Sequence, residues 1–237
     1  DLFNKGGLFY SRRIGGAPST FPSTNENEIV ESHPSTVNLL NALKVSGRTA
    51  EGLGIGFLNA ITEKTYARVR NTDTNEVRNQ LVEPLSNYNV LVFDQRFNQN
   101  SSVSFINTNV TRVGDFRDAN VTGIVYDINS KGNKYNFSGD LKMSSIYDDA
   151  KGNGYSTFVN FGKTFGKYRY SIASQYVSKE FDINDLGINF VTNYHNVAAN
   201  FNYRILNPTK RFNSFNLNTN YYVELENTTG KAQDHWI

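Results

Sequence analysis

The sequence predicts an all-β protein, an antiparallel transmembrane β-barrel of the outer-membrane type, with about ten strands in this chain forming part of a larger barrel. Three observations predict it. Apolar residues recur with period two, the alternating segments are longer than ordinary strands, and short connections take turns with long ones.

Residues 1–37 precede the first strand and read as an external or lumen-inserted loop region holding the Gly-flanked stretch SRRIGG; residues 38–237 hold the strands, incomplete at both ends. The first expected strands cover 38–47 and 52–70. Within GLGIG, Leu53, Ile55 and Phe57 share one face, while Gly52, Gly54 and Gly56 leave the other bare, a wall against which an inserted loop could lie. Strands follow at 87–97, 102–112 and 119–129, where alternation is poor: Ile106 and Val110 fall on one face, Val103 and Phe105 on the other. At 134–147, Tyr135, Phe137, Leu141 and Met143 oppose Asn136, Asp140 and Lys142.

The clearest hairpin spans 154–165 and 168–180, turning at Gly166-Lys167, with Gly in the position a two-residue turn favours. That turn pairs Phe161 with Ile172 and Val159 with Ser174. One face then carries Tyr155, Val159, Phe161, Tyr168, Tyr170, Ile172 and Tyr176, and the other Ser156, Asn160, Arg169, Ser171 and Gln175. Strands 195–205 and 212–225 repeat the pattern, their polar faces rich in Asn.

A soluble sandwich or barrel also has period two. Strand length and connection pattern favour the membrane. Segments of about 10 to 14 residues match a tilted span, which needs ~9–11, better than soluble strands of ~5–6. RTAE, NQNS, SKGN and GK alternate with longer polar stretches such as NTDTNEVRNQLVEPLS and FDINDLGINFVTNY. The apolar face is therefore expected to meet lipid, and the Asn-rich face to line a wet interior. Lys163 sits on the lipid side but near the turn, where a long side chain can snorkel.

Composition excludes several classes. The 237 residues hold no apolar run near the ~20 a membrane helix needs. With 24 basic and 22 acidic residues spread along the chain, no basic footprint for nucleic acid exists. There is no cysteine, hence no disulfide, thiol nucleophile or thiolate metal site. His33, His195 and His235 lack metal spacing, no catalytic triad order appears, and no cofactor is expected. Asp148 and Asp149 in YDDAKGNGY lack the ligand spacing of a calcium loop and read as a hairpin connection.

The candidate binding residues are those expected at the lumen. Arg12 and Arg13 could bias a pore toward anions or grip carboxylates; the alternative is a structural ion pair with Glu63, Asp94 or Asp140. Asp140, Lys142, Arg169, Arg204 and Glu224 give the interior mixed charge.

The strings DLFNKGGLFYSRRIGG, NLLNALKVSGRTAEGLGIGFLNAIT and FDINDLGI resemble a family of Bacteroidota proteins that join an N-terminal module akin to a family-9 carbohydrate-binding domain to a C-terminal outer-membrane barrel of unknown function. The resemblance covers the barrel part and implies an outer-membrane location, with polysaccharide or other outer-membrane proteins as partners besides the lipid bilayer. It implies no reaction. The expected role is passage or surface handling of polar solutes without catalysis. The alternatives are a closed barrel serving as a platform for partners, or a soluble secreted glycan-binding β-domain.

Overall fold

The computed structural model describes residues 2–148, 152–211 and 213–236. Its strands are, in chain order, β1 (Glu28–Ser32), β2 (Leu39–Arg48), β3 (Leu53–Thr62), β4 (Thr65–Asn71), β5 (Val77–Glu83), β6 (Ser86–Phe97) and β7 (Ser101–Arg112). They continue as β8 (Asp118–Asn129), β9 (Tyr135–Tyr147), β10 (Gly152–Lys163), β11 (Tyr168–Val177), β12 (Tyr194–Ile205), β13 (Phe215–Glu226) and β14 (Ala232–Trp236). Neighbouring strands are antiparallel throughout. One sheet has eleven strands, running from β2 through β3 and β6 to β14; the other has three, ordered β1-β4-β5. The large sheet is not closed into a barrel: among the described residues β2 pairs only with β3, and β14 only with β13. Among the described residues, no helix is long and apolar enough to cross a membrane.

Several expected boundaries are corrected. The single strand expected over 52–70 is two strands, because the chain leaves the large sheet after Thr62 and β4 pairs with β1 and β5 instead. Residues 1–37 and the connection after residue 70, both expected as loop, contain β1 and β5, and β14 lies beyond the last expected strand. The small sheet follows a different surface logic from the large one. Ala67, Val69 and Val82 are buried, while Arg68, Arg70 and Arg78 pair with Glu31 and Glu28. The connections do fall at alternate ends, but length separates them less than expected. Only 63–85, which carries β4 and β5, and 178–193 are long; the others at that end are as short as the turns.

The hairpin register is the one the Gly166 turn requires, with Phe161 opposite Ile172 and Val159 opposite Ser174. Its apolar side chains lie on a bare face, with Tyr155 51% and Ile172 55% exposed, and Ser156 lies buried on the other. That other face is covered by the chain itself. Phe3 and Leu8 of the N-terminal segment and Phe181, Ile183 and Leu186 of the 178–193 connection pack on Val90, Val92, Ile106, Val110 and Val121. This explains the poor alternation of 87–129: both faces of β6–β8 carry apolar residues because one meets the inserted segments while the other is bare. Gly54 and Gly56 face Leu2 and the Phe3 ring, so the bare wall of GLGIG is where the N-terminal segment lies.

Apolar residues on the bare face join across strands. One hydrogen-bonded row runs Ile55, Phe93, Phe105, Ile124 and Leu141, then Thr157, Tyr176, His195 and Leu225. On β3 this row lies in the middle of the apolar residues Leu53, Ile55 and Phe57. On β13 it lies at their end, and the apolar side chains continue from Leu225 through Val223, Tyr221 and Leu217 to Phe215. The band therefore slants across the rows, toward the turn end of the later strands. Asn is divided differently from the expectation. Asn200, Asn202, Asn218 and Asn220 occupy the face opposite the band, but Asn59, Asn89, Asn109 and Asn120 form a row on the band's own side, beyond its edge.

Candidate functional site

The N-terminal segment crosses the covered face and reaches the end with the long connections. There Ser11–Arg13 form one 3-10 turn, and Gly15, at φ +73°, bends the chain back. The Tyr10 amide donates to the Leu186 carbonyl at 2.6 Å, and Arg13 Nε donates to the Gly187 carbonyl at 3.1 Å, tying the turn to the 178–193 connection. Arg12 and Arg13 are both exposed, and neither has an ion-pair partner among the described residues. The acids expected as their structural partners are engaged elsewhere: Glu63 by Asn38, Asp94 by Lys5 and Arg48, and Asp140 by Lys142.

Both arginines line a cleft of about 380 Å³, which Glu83, Tyr88, Arg112 and Asp185 also line. A second cleft of about 320 Å³ shares Arg112 and Asp185 and adds Phe116, Arg117 and Asp182. Between them lies an ion-pair network. Arg112, 8% exposed, meets Asp185 at 2.9 Å, while its Nε is 3.8 Å from Glu83, too far for a hydrogen bond, and has no other partner among the described residues. Arg117 reaches Asp182 at 2.8 Å and Asp185 at 2.6 Å. Burial disfavours the Asp182 carboxylate, but the Asn184 amide N–H and the Arg117 guanidinium outweigh it and hold its pKa below the ordinary value. Burial also works against the charge on Arg117, and Asp185 and Asp182 outweigh it, raising that pKa.

The remaining predicted residues do not converge on one constriction. Asp140 and Lys142 form a pair at 3.0 Å beneath the N-terminal segment, where a Cβ on Gly6 would lie 3.1 Å from Lys142 Cε. Arg169 and Arg204 lie at the turn end and share a cleft of about 390 Å³ with Phe165, Lys167 and Pro208. Glu224 accepts from the Tyr222 hydroxyl at 2.5 Å and sits opposite Asn196 and Asp234. Asp148 ends the described part of its connection, and Asp149 lies outside the described residues.

Sequence reasoning missed Glu83, Arg112, Arg117, Asp182 and Asp185 as a group. A signal existed: Arg112 and Arg117 of TRVGDFR, at and just beyond the end of β7, and Asp182 and Asp185 of FDINDLGI, on the 178–193 connection, lie at the same end with opposite charge. The acidic pair also carries a chemical consequence, since it takes Arg112 and Arg117 into ion pairs and leaves Arg12 and Arg13 as the arginines of the cleft without a carboxylate partner among the described residues.

A family model described as a domain of unknown function (DUF5916) matches residues 1–237. No curated protein and no solved structure matches the chain.

Proposed function

The chain belongs to the DUF5916 family over its whole length, and we propose that it forms the wall of an outer-membrane β-barrel that handles polar solutes at the end bearing the long connections. The slanting apolar band carries this reading. Soluble monomers rarely expose contiguous apolar patches beyond a few hundred Å². This band extends over strands from β3 to β13, with side chains such as Leu141, Tyr170, Ile172 and Leu217 more than one third exposed. A bilayer would cover it. Strands that tilt by ~35–45° cross the membrane plane obliquely, so a lipid-facing band must drift across the hydrogen-bond rows, as this one does. The row Asn59, Asn89, Asn109 and Asn120 then falls at headgroup level. A soluble glycan-binding domain would instead need a second apolar layer over the same face.

The solute is handled in the arginine-lined cleft. The resemblance to Bacteroidota barrels joined to a carbohydrate-binding module makes glycans candidate solutes. A closed platform for partners is the second reading, favoured by the burial of Phe3 and Leu8 against the covered face and by the Lys5–Asp94 pair at 2.8 Å.

Reconstitution of the complete polypeptide into planar bilayers tests both. Steady conductance supports passage. Silence from protein folded in the membrane supports the platform with surface handling. A chain that stays monomeric and folded in buffer without detergent ends the membrane reading.

A further inference from the structure

We infer that the cleft at Arg12 and Arg13 is an oxyanion site, taking a carboxylate or phosphate carried by a polar solute. The inference deepens the proposed handling of solutes by naming their charge. Arg48, Arg68, Arg70, Arg78, Arg112 and Arg117 each meet a carboxylate. Arg12 and Arg13 are adjacent in one turn and meet none, although two carboxylates line the same cleft.

Those carboxylates are committed. Glu83 accepts from the Ser19 amide at 2.6 Å and the Ser86 hydroxyl at 3.2 Å, and Asp185 is held by Arg112 and Arg117. Arg13 is held through Nε by the Gly187 carbonyl, and its two terminal nitrogens remain as donors. A third guanidinium lines the cleft at Arg112, whose buried Nε has no hydrogen-bond partner. Three guanidiniums against two engaged carboxylates leave one net positive charge. A planar guanidinium fork matches a carboxylate or phosphate with two parallel hydrogen bonds, which an ammonium cannot do. The cleft, at about 380 Å³, has room for more than a single ion.

The test is calorimetric titration of the complete polypeptide, folded in detergent micelles, with tetragalacturonate, inorganic phosphate and the neutral maltotetraose. The same titrations use Arg12→Gln/Arg13→Gln, whose exposed side chains leave the core untouched and whose fold is checked by circular dichroism. Binding of an oxyanion that the double variant weakens by about tenfold or more, with no such loss for maltotetraose, supports the site. Tetragalacturonate alone identifies a carboxylate as the ligand chemistry, and phosphate alone a phosphate. Equal binding by the variant, or no binding of either oxyanion at millimolar concentration, overturns it. A protein silent in planar bilayers, or soluble without detergent, still reports in these titrations, so the two ideas fail separately.

Discussion

Gly154 in β10 and Phe181 in the 178–193 connection meet backbone against backbone: a Cβ on Gly154 would lie 2.2 Å from the Phe181 Cα. The N-terminal segment is seated through side chains instead, with Leu8 Cδ1 2.7 Å from where a Cβ on Gly123 would be and the Phe3 ring 3.0 Å from one on Gly56. Glycines in the strands thus make room for the two segments that cover the sheet.

Gly154→Ala is therefore expected to lift the connection from the sheet, since the opposing atoms are backbone and cannot rotate away. The cost should reach the upper part of the ~1–3 kcal/mol range for overpacking. Phe181 and Leu186, 4% and 1% exposed, would lose their burial, so proteolysis within 178–193 should accelerate. Gly166→Ala is the control. It has open space and a φ of +91°, so it should cost roughly 1–2 kcal/mol through backbone strain and leave that connection protected. Urea midpoints with limited proteolysis separate the two variants.

The facing of β10 makes an opposed pair of predictions. Phe161 lies in the band opposite Ile172 and Phe137, while Asn160 on the other face donates to Asn136 and Ser138. If the band faces lipid as proposed, Phe161→Asp should block folding into lipid vesicles, because a carboxylate there would enter hydrocarbon. Asn160→Asp should fold. Equal yields of vesicle-inserted protein from both would overturn the facing assignment.

How much of this was legible beforehand depends on what set each pattern. The register of β10 with β11 was readable because one face is apolar, the other polar, and Gly166 sets the turn. Strands β6–β8 were obscure because the inserted segments make one face an apolar core while the bare face is apolar as well, which erases period-two alternation. Strand β5 was hidden because an outward Arg78 resembles a polar loop until Glu28 is brought beside it, and β4 was merged into the strand expected over 52–70 because nothing local marks where the chain changes sheet. SRRIGG stood out through its local composition. Its cleft did not, because Glu83, Arg112 and Asp185 come from three elements remote in sequence, and only the topology makes them neighbours.

Asp185 is the shared acid of the network, within 2.9 Å of Arg112 and 2.6 Å of Arg117. Asp185→Ala would leave two guanidiniums adjacent, one of them largely buried, without their common counterion. A loss of about 3–5 kcal/mol is expected, the range for breaking a buried pair by removing one partner. Arg117→Ala should recover part of that loss in the double variant, with a coupling of about 0.5–3 kcal/mol in a double-mutant cycle. Additive losses would mean that the two side chains do not act on each other.

Acid should loosen the small sheet and the 178–193 connection by the same logic, at carboxylates that can be told apart. Glu28 has its pKa lowered to about 2, chiefly by hydrogen bonds from Arg78 and from the Asn25 amide, and Arg70 lowers Glu31. A folded-state pKa below the unfolded value means that the contribution is fully present above the unfolded pKa, near ~4.3 for Glu and ~3.9 for Asp, and disappears as pH falls through the folded one. Amide exchange in β1 should therefore be slow at pH 6 and should quicken relative to its intrinsic rate as pH falls from about 4.3 toward about 2. Asp182 carries the same sign for the connection, with loss beginning below about pH 4. Glu28→Gln/Glu31→Gln should weaken β1 at neutral pH and flatten its acid response, while leaving that of 178–193 intact. If instead both segments flatten together in that variant, the acid response belongs to global unfolding, and neither carboxylate governs its own segment.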